Sequence, residues 1–278
     1  MRGVRPDLRG GDPRPAPGRQ RAPAATDGGR ADRGLARPKR ISMGQDYFRF
    51  KQFSVRQDLE VMRVNVDGVL LGAWAGVEGA CAALDVGTGT GVIALMLAQR
   101  GVPRVDAIDI SPEATEQAGR NVAHSPWPGA VGVHHSSFQL WAEVCTQPYD
   151  LVVSNPPYFS NSLKGPDARR NAMRHNDLLP HRELLEALDL CLAADGCFAG
   201  IFPTSEGALL IALAAELGLH CRRKLLVSSK PNGPVKRILC ELTRGAGTGH
   251  EAQLSIYDHA GEYSRAYRDL TADFYLNF

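Results

Sequence analysis

Short runs of apolar residues, each closed by glycine, proline or a polar residue, recur along the middle of the chain. Runs of this length and β-branched character are typical of parallel strands that are buried on both faces of a sheet. They predict five strands, at residues 82–86, 105–110, 131–134, 150–154 and 197–202. Two further apolar stretches, 222–227 and 235–242, lie on either side of a Pro-Asn-Gly-Pro turn and predict a closing hairpin.

Segments of helical character separate these runs. They predict helices at 69–74, 92–100, 180–192 and 206–217 and one that begins at Pro112. Ser111 is a favoured N-cap residue, and proline suits the first helical turn. The alternation of the two patterns predicts an α/β fold with a seven-stranded, mostly parallel sheet that ends in a C-terminal antiparallel hairpin.

Residues 1–42 differ from everything that follows, because they are rich in Arg, Pro, Gly and Ala and have few large apolar side chains. This composition is typical of disorder. Eleven basic and four acidic residues give the segment a charge of +7 and leave −5 for the rest of a chain whose net charge is +2. We predict a basic disordered extension at 1–42, a main domain at 43–245 and a polar C-terminal tail at 246–278. The extension either strengthens RNA binding non-specifically or has no role.

The overall composition, 44% hydrophobic and 22% charged, is typical of a soluble globular protein. No apolar run approaches the ~20 residues of a membrane span, and the N-terminal segment lacks the apolar core of a signal peptide. We therefore predict a cytoplasmic monomer without membrane contact. The six cysteines lack C-x-x-C spacing, and the neighbouring side chains of His134 and His135 face opposite ways on a strand, so no metal site is predicted.

A glycine-rich loop, Gly87-Thr88-Gly89-Thr90-Gly91, joins the first strand to a helix. Such a loop lets the backbone approach a ligand closely at a helix N-terminus. Asp109 ends the second strand 18 residues after the last glycine, where a carboxylate can accept hydrogen bonds from ribose hydroxyls, and Ile110 beside it suits packing on a base. The alternative for Asp109 is an acid that caps the next helix.

The strand at 150–154 ends abruptly at Asn155-Pro156-Pro157-Tyr158. Proline lacks an N–H and biases the preceding residue away from the helical region, so the chain leaves the strand as an extended loop. Ligands of open α/β sheets bind at this edge. Asn155 and Pro156 therefore offer two carbonyl acceptors, and Tyr158 an aromatic ring, beside a predicted pocket. Taken alone, the four residues also fit a proline-rich turn without a function.

The segment Asn155-Pro156-Pro157-Tyr158 resembles the catalytic motif of S-adenosylmethionine-dependent amino-methyltransferases. Two earlier segments, Phe-Lys-Gln-Phe at 50–53 and Asp-Gly-Val-Leu-Leu-Gly-Ala-Trp at 67–74, resemble the amino-terminal region of bacterial tRNA-valine adenine-N6 methyltransferases, in which they cap the cofactor site. Val66 stands where that family usually has Thr. The resemblance covers 48–244, including Lys236 and Arg237. It implies a Rossmann-like class I methyltransferase fold, S-adenosylmethionine as cofactor and tRNA as partner.

The resemblance also implies roles for individual residues. The implied catalytic residues are Asn155, Pro156, Pro157 and Tyr158. The implied cofactor-binding residues are Asp67, Asp85, Gly87, Thr88, Gly89, Gly91, Asp109, Ile110, Ser137, Phe138 and Asn155. A basic cluster after Tyr158 suits contacts with substrate phosphates, and its predicted substrate-binding residues are Lys164, Arg169, Arg170 and Arg174.

Two alternatives remain open on the sequence. The Asn-Pro-Pro-Tyr motif is shared with enzymes that methylate a glutamine of release factors, which would need a peptide groove rather than a basic surface. The second alternative is a non-enzymatic RNA-binding module with a vestigial cofactor fold. Such a module would not require the glycine loop, both aspartates and the Asn-Pro-Pro-Tyr motif together, so their joint presence argues against it.

Overall fold

The computed structural model describes residues 47–57, 61–157, 181–245 and 249–278. Two short strands, β1 (Tyr47–Arg49) and β2 (Ser54–Arg56), form a small antiparallel sheet. The strands of the main sheet are β3 (Ala82–Val86), β4 (Arg104–Asp109), β5 (Val131–His135), β6 (Tyr149–Ser154), β7 (Leu192–Pro203), β8 (His220–Ser228), β9 (Val235–Thr243) and β10 (His250–Ser255). The helices in the described ranges are α1 (Val66–Trp74), α2 (Val92–Gln99), α3 (Pro112–Ala123), α4 (Phe138–Glu143), α5 (His181–Cys191), α6 (Thr204–Glu216) and α7 (Arg265–Thr271).

The main sheet has the strand order β10-β8-β9-β7-β6-β3-β4-β5. Strands β3, β4, β5, β6 and β7 all run parallel to one another. Strand β9 is antiparallel to both β7 and β8. The predicted α/β class, the mostly parallel sheet and the closing hairpin are therefore confirmed. The predicted number of seven strands is wrong, because β10 adds an eighth at the edge beside β8. Only Leu254 is buried in β10, so this strand has no apolar run by which the sequence could reveal it.

Helices cover both faces of the sheet, and this divides the core into two clusters. Adjacent residues of β6 belong to different clusters, since Val152 packs with α4, α5 and α6 whereas Val153 packs with α1 and α2. Both side chains are completely buried. This is the double burial that the continuous apolar runs predict. No helix in the described ranges is long and apolar enough to cross a membrane.

The residues after β9 pack against the amino-terminal segment of the described domain. Tyr267 on α7 is completely buried, and the ring of Phe50 stacks on those of Phe53 and Tyr275 at centroid distances of 4.6 and 6.1 Å. The ammonium of Lys51 donates to the backbone oxygens of Ala272 and Phe278 at 2.6 and 2.7 Å. We call this contact the terminal aromatic cluster, and its rings are Phe48, Phe50, Phe53, Tyr267, Tyr275 and Phe278. The predicted tail, 246–278, thus contains a sheet strand and a helix packed into the core.

Candidate cofactor and catalytic site

Three neighbouring parallel strands, β6, β3 and β4, end at the same edge of the sheet. At this edge, Asn155 follows β6, the glycine loop follows β3, and Asp109 is the last residue of β4. The hydroxyl of Ser154, the last residue of β6, donates to the carbonyl of Val86 at 3.0 Å and is completely buried. The bond fixes the start of the Asn-Pro-Pro segment against the start of the glycine loop. The topology therefore brings together the three predicted groups that lie far apart in the chain.

The glycine loop is tied to the neighbouring strand through its backbone. The N–H groups of Gly87 and Thr88 both donate to the carbonyl of Ile108, at 2.9 and 3.0 Å. Gly87, Gly89 and Gly91 have φ values of 74°, 56° and 82°, which side-chain-bearing residues rarely adopt. A β-carbon on Gly87 or Gly89 would meet nothing within 4 Å, so open space borders the loop where a ligand can approach the backbone.

Gly91 is needed for a different reason. A β-carbon at this position would lie 3.3 Å from the β-carbon of Ala118, so the start of α2 packs directly on the middle of α3. Asn121, one turn further along α3, donates to the carbonyl of Thr90 at 2.8 Å and accepts from the N–H of Arg56 at 2.9 Å. This buried amide joins the glycine loop to β2, and no sequence motif indicates it.

Asp109 links the glycine loop to the start of α3. Its Oδ2 accepts from the N–H of Gly89 and its Oδ1 from the N–H of Ser111, both at 2.9 Å. Burial raises the pKa of this carboxyl, and the backbone hydrogen bonds oppose that shift. Ser111 caps α3 as predicted, through a bond to the N–H of Ala114. Ile110 is 43% exposed although it is large and apolar, so it offers an uncovered face beside the aspartate.

Asp85 lies beneath the loop and is completely buried. Its Oδ2 accepts from the hydroxyl of Thr88 at 2.7 Å and from the N–H of Ala94 at 3.1 Å. Its Oδ1 has no hydrogen-bond partner among the residues that the structure describes. Burial raises the pKa of Asp85 to about 7, although the bonds from Thr88 and Ala94 act in the opposite direction. A buried acceptor without a partner is costly, so this oxygen suits a cationic donor on a bound ligand.

A second buried polar group without a partner lies on α3. Gln117 is 2% exposed, and in the described part of the chain neither its Nε2 nor its Oε1 has a hydrogen-bond partner. It precedes Ala118, the residue that contacts Gly91, and is one turn before Asn121. The buried side of α3 that packs on the glycine loop thus carries a free amide, and nothing in the sequence distinguishes it from an ordinary polar helix residue.

Ser137 and Phe138 lie at the start of α4, after β5. The hydroxyl oxygen of Ser137 accepts from the N–H of Leu140 at 3.2 Å, so this side chain serves as the N-cap of the helix. Phe138 is 3% exposed and packs in the cluster with Ile108. Their roles toward a cofactor stay predictions.

The Asn-Pro-Pro-Tyr motif is described as far as Pro157. Asn155 and Pro157 are half-buried, and Pro156 is buried. The N-terminus of α1 lies beside the motif, because a β-carbon on Gly68 would be 3.8 Å from Asn155 Nδ2 and 3.7 Å from a methyl of Val92. The Asp-Gly segment and the Asn-Pro-Pro segment, 87 positions apart in the chain, are therefore neighbours. Tyr158 lies outside the described residues.

Asp67, the other half of the Asp-Gly pair, is bound to the closing hairpin. Its Oδ2 accepts from Nε of Arg237 on β9 at 2.8 Å, and the two side chains are only 18% and 29% exposed. Asn65 caps α1 through a 2.9 Å bond to the N–H of Gly68. The resemblance implies a cofactor role for Asp67, which stays a prediction, and no sequence pattern indicates Arg237 as its partner. The predicted substrate-binding residues lie outside the described residues: Lys164, Arg169, Arg170 and Arg174.

The cofactor implied by the resemblance can be tested against this edge. S-adenosylmethionine carries an amino-acid end with a cationic amine, a ribose with two hydroxyls and an adenine ring. At this edge, Asp85 offers a buried carboxylate oxygen without a partner in the described residues, and Gly87 and Gly89 offer an open loop backbone. Asp109 adds a second carboxylate, and Ile110 adds an uncovered apolar side chain. These donor and acceptor types fit the group.

Comparison with known proteins agrees with this arrangement. The family model described as "Methyltransferase small domain" matches residues 76–175. The chain is 43% identical over 235 residues to the tRNA1(Val) (adenine(37)-N6)-methyltransferase of Bacteroides fragilis, a match that covers 84% of this chain and 99% of that protein. It is 42% identical over 239 residues to the protein of the same name from Trichodesmium erythraeum, and this match covers 85% and 100% of the two chains.

Among solved structures, the fold is similar to that of a predicted O-methyltransferase from Agrobacterium tumefaciens. The TM-score is 0.58 at 18% sequence identity, and the match covers 75% of this chain and 96% of the other. At this identity the likeness concerns the fold alone. It confirms the Rossmann-like methyltransferase architecture.

Proposed function

Because the chain belongs to the tRNA1(Val) (adenine(37)-N6)-methyltransferase family, we propose that it methylates N6 of an adenine next to the anticodon of a valine tRNA, with S-adenosylmethionine as the methyl donor. The observation that carries this proposal is the identity of 42–43% across 99–100% of the relatives' length. The described part of this edge supports it, because the Asn-Pro-Pro segment begins beside the start of the glycine loop. The enzyme acts as a monomer in the cytoplasm.

Five residues would hold the cofactor. The unpartnered oxygen of Asp85 suits the amine of the amino-acid end, and the open backbone at Gly87 and Gly89 lets that end approach the sheet. Asp109 suits the ribose hydroxyls, and Ile110 offers an apolar surface to the adenine. When bound, S-adenosylmethionine supplies an electrophilic methyl group on a sulfonium.

The motif residues orient the nucleophile. The N6 amine of adenine is a weak nucleophile because its lone pair is delocalised into the ring. The side-chain oxygen of Asn155 and the backbone carbonyl of Pro156 accept hydrogen bonds from its two N–H groups, which favours the pyramidal geometry that develops during methyl transfer. Tyr158 stacks on the base and holds the amine in line. A proton leaves the methylated nitrogen to water.

The choice of an anticodon-loop adenine fits this arrangement. Such a base can be turned out of a loop without opening a long duplex, so the energetic cost of presenting it to the motif is small. The basic residues that follow Tyr158 in the sequence suit the phosphates on either side of the base.

The test is a methyl-transfer assay with four substrates. Purified protein, with and without residues 1–42, is incubated with methyl-labelled S-adenosylmethionine and unmodified bulk tRNA, rRNA, DNA or a release factor, and the labelled product is digested to nucleosides or amino acids. We expect label in N6-methyladenosine from tRNA alone, and a valine tRNA transcript with its target adenine replaced by guanine should remain unlabelled.

Each other outcome contradicts a separate part of the proposal. Label in the release factor would retain the methyl transfer but move the substrate to a glutamine. Absence of label in every substrate, with cofactor binding still measurable by calorimetry, would favour the non-enzymatic RNA-binding module.

A further inference from the structure

The turn between β8 and β9 stands at the edge of the sheet that carries the catalytic motif. Because β9 is antiparallel to β7, its first residues lie beside the carboxyl end of β7, where Arg237 pairs with Pro203. Asn155 follows the carboxyl end of β6, and β6 and β9 are separated by β7 alone. Across the sheet, two strand spacings of about 4.8 Å each separate β9 from β6. Along the strands, Lys236 lies four residues beyond Cys240, the residue of β9 that is level with Ser154. A strand of RNA with one base at Asn155 would therefore pass near this turn.

The turn is basic and its lysines are not neutralised. Residues 229–237 contain Lys230, Lys236 and Arg237 and no acidic residue. Arg237 is paired with Asp67, whereas Lys230 and Lys236 are exposed and form no ion pair with any residue in the described ranges. Lys224, further along the same hairpin, is paired with Glu251. Unpaired positive charge is thus found at the end of the hairpin that borders the catalytic edge.

The backbone of the turn is held rigidly by hydrogen bonds. The carbonyl of Lys230 accepts from the N–H of Gly233 at 3.0 Å and from the hydroxyl of Ser228 at 2.9 Å. The hydroxyl of Thr204 donates to the carbonyl of Val235 at 2.7 Å, which ties the turn to the start of α6. These bonds fix the positions from which the two lysines project, so the turn presents its charges with little loss of backbone entropy on binding.

The turn also contains an unusual backbone conformation. Asn232 has a φ of 59°, and it is the one non-glycine residue with a positive φ in the described part of the chain. Asparagine tolerates this region better than most residues, yet the conformation still carries some strain. The strain is accommodated at the tip of the turn, between the two lysines.

We propose that Lys230 and Lys236 bind backbone phosphates of the tRNA beside the target adenine, an inference that rests on the function proposed above. The two ammonium groups act as point charges, so they strengthen binding and set the path of the strand without reading its sequence. Arg237 does not take part in this contact as a phosphate ligand, because its guanidinium holds Asp67 and thereby the start of α1. The turn thus adds a second basic surface to the one predicted after Tyr158.

The test uses Lys230→Gln, Lys236→Gln and the double variant, with Lys224→Gln as the matched control on the same hairpin. Affinity for an unmodified valine tRNA transcript is measured by fluorescence anisotropy at several KCl concentrations, and methyl transfer is measured separately. We expect the slope of log affinity against log salt to fall by about one for each lysine removed. The KM for tRNA should rise several-fold at unchanged kcat, while cofactor affinity in calorimetry and the Lys224→Gln control remain at the wild-type values.

The inference is overturned if the double variant keeps the wild-type salt slope and KM, or if Lys224→Gln changes them equally. Failure of the proposed function is recognised independently, because wild-type protein would then place no label in tRNA. The anisotropy slopes do not depend on methyl transfer and test the turn in either case.

Discussion

The carboxylate of Asp67 on α1 and the guanidinium of Arg237 on β9 are joined by a 2.8 Å hydrogen bond between residues 170 positions apart. Asp67 precedes Gly68, whose backbone lies beside the side chain of Asn155. The ion pair therefore ties the helix that borders the Asn155 amide to the hairpin that closes the sheet. We infer that Asp67 and Arg237 are positioning residues, which act on the reaction through the placement of α1.

We expect Asp67→Asn and Arg237→Gln each to lower kcat for methyl transfer, because the start of α1 loses its attachment beside Asn155. In a double-mutant cycle of urea unfolding, the coupling between the two positions should be about 1 kcal/mol, since both side chains are mostly covered. Removal of the Lys224–Glu251 ion pair by the same kind of double substitution is the control, and it should leave kcat unchanged. Equal losses of kcat in both pairs would contradict a positioning role.

Substitution of Asn155 by Ala should lower kcat on the order of 10²- to 10³-fold, the usual effect of removing one transition-state hydrogen bond. Cofactor affinity, measured by calorimetry, should change much less, because the glycine loop and both aspartates are retained. A control substitution at the exposed Gln147, which bonds Arg104, should have no effect on the rate. A near wild-type rate for Asn155→Ala would exclude the amide from catalysis.

A comparison of Gly89 with Gly218 can separate the effect of backbone strain on stability from the effect of a β-carbon on cofactor binding. Gly89 and Gly218 have φ values of 56° and 78°, and a β-carbon on either would meet nothing within 4 Å. Substitution by Ala should therefore lower the free energy of unfolding by a similar amount, about 1 kcal/mol, at both positions. Only Gly89→Ala should weaken cofactor binding in calorimetry, because its β-carbon enters the space above the loop. Equal cofactor affinities in the two variants would place the ligand elsewhere.

The raised pKa of Asp85 predicts a dependence of stability on pH. Burial raises this pKa from 3.8 to about 7, so between these values the native protein binds a proton that the unfolded chain does not. The free energy of unfolding should therefore fall as the pH rises through this window, by up to about 1.4 kcal/mol per pH unit, and level off above the native pKa.

Asp85→Asn removes this titration, and urea unfolding between pH 5 and 8 should show a shallower fall than in the wild type. The pKa of Asp109 is also raised, so a part of the slope should persist in the variant. An unchanged slope would mean that Asp85 is ionised throughout the window.

The central strands could be predicted from the sequence because their burial on both faces leaves uninterrupted apolar runs. Residues 82–86 are all buried, and the predicted bounds of this strand agree with the structure. The predicted strand 150–154 differs from β6 by one residue at its start. The order of these strands then brings the glycine loop, Asp109 and Asn155 to one edge. The meeting of these three groups at one edge therefore follows from local patterns combined with the general rule for ligands of open sheets, whereas the roles of the individual residues are what the family resemblance implies.

Features that depend on distant contacts could not be predicted in this way. The partner of Asp67 is an arginine on the far hairpin, and the buried amides of Gln117 and Asn121 look like ordinary polar positions on an amphipathic helix. Ser137 was assigned to the cofactor, whereas its hydroxyl caps α4, a local bond that the sequence pattern also permits. The cofactor role of Ser137 remains a prediction.

The terminal aromatic cluster has a consequence for the order in which the chain is synthesised and folded. Lys51 bonds to residues 221 and 227 positions later, so the contacts that hold Phe50 and its neighbours are among the least local in the protein. Closing so long a loop is entropically costly and slow compared with forming adjacent strands and helices. On a ribosome, the amino-terminal segment emerges first, and β2 can pack on α3 before α7 has followed. Lys51 cannot make its bonds to Ala272 and Phe278 until the end of the chain has emerged. Some contacts of the first part of this domain to be translated are therefore among the last to form.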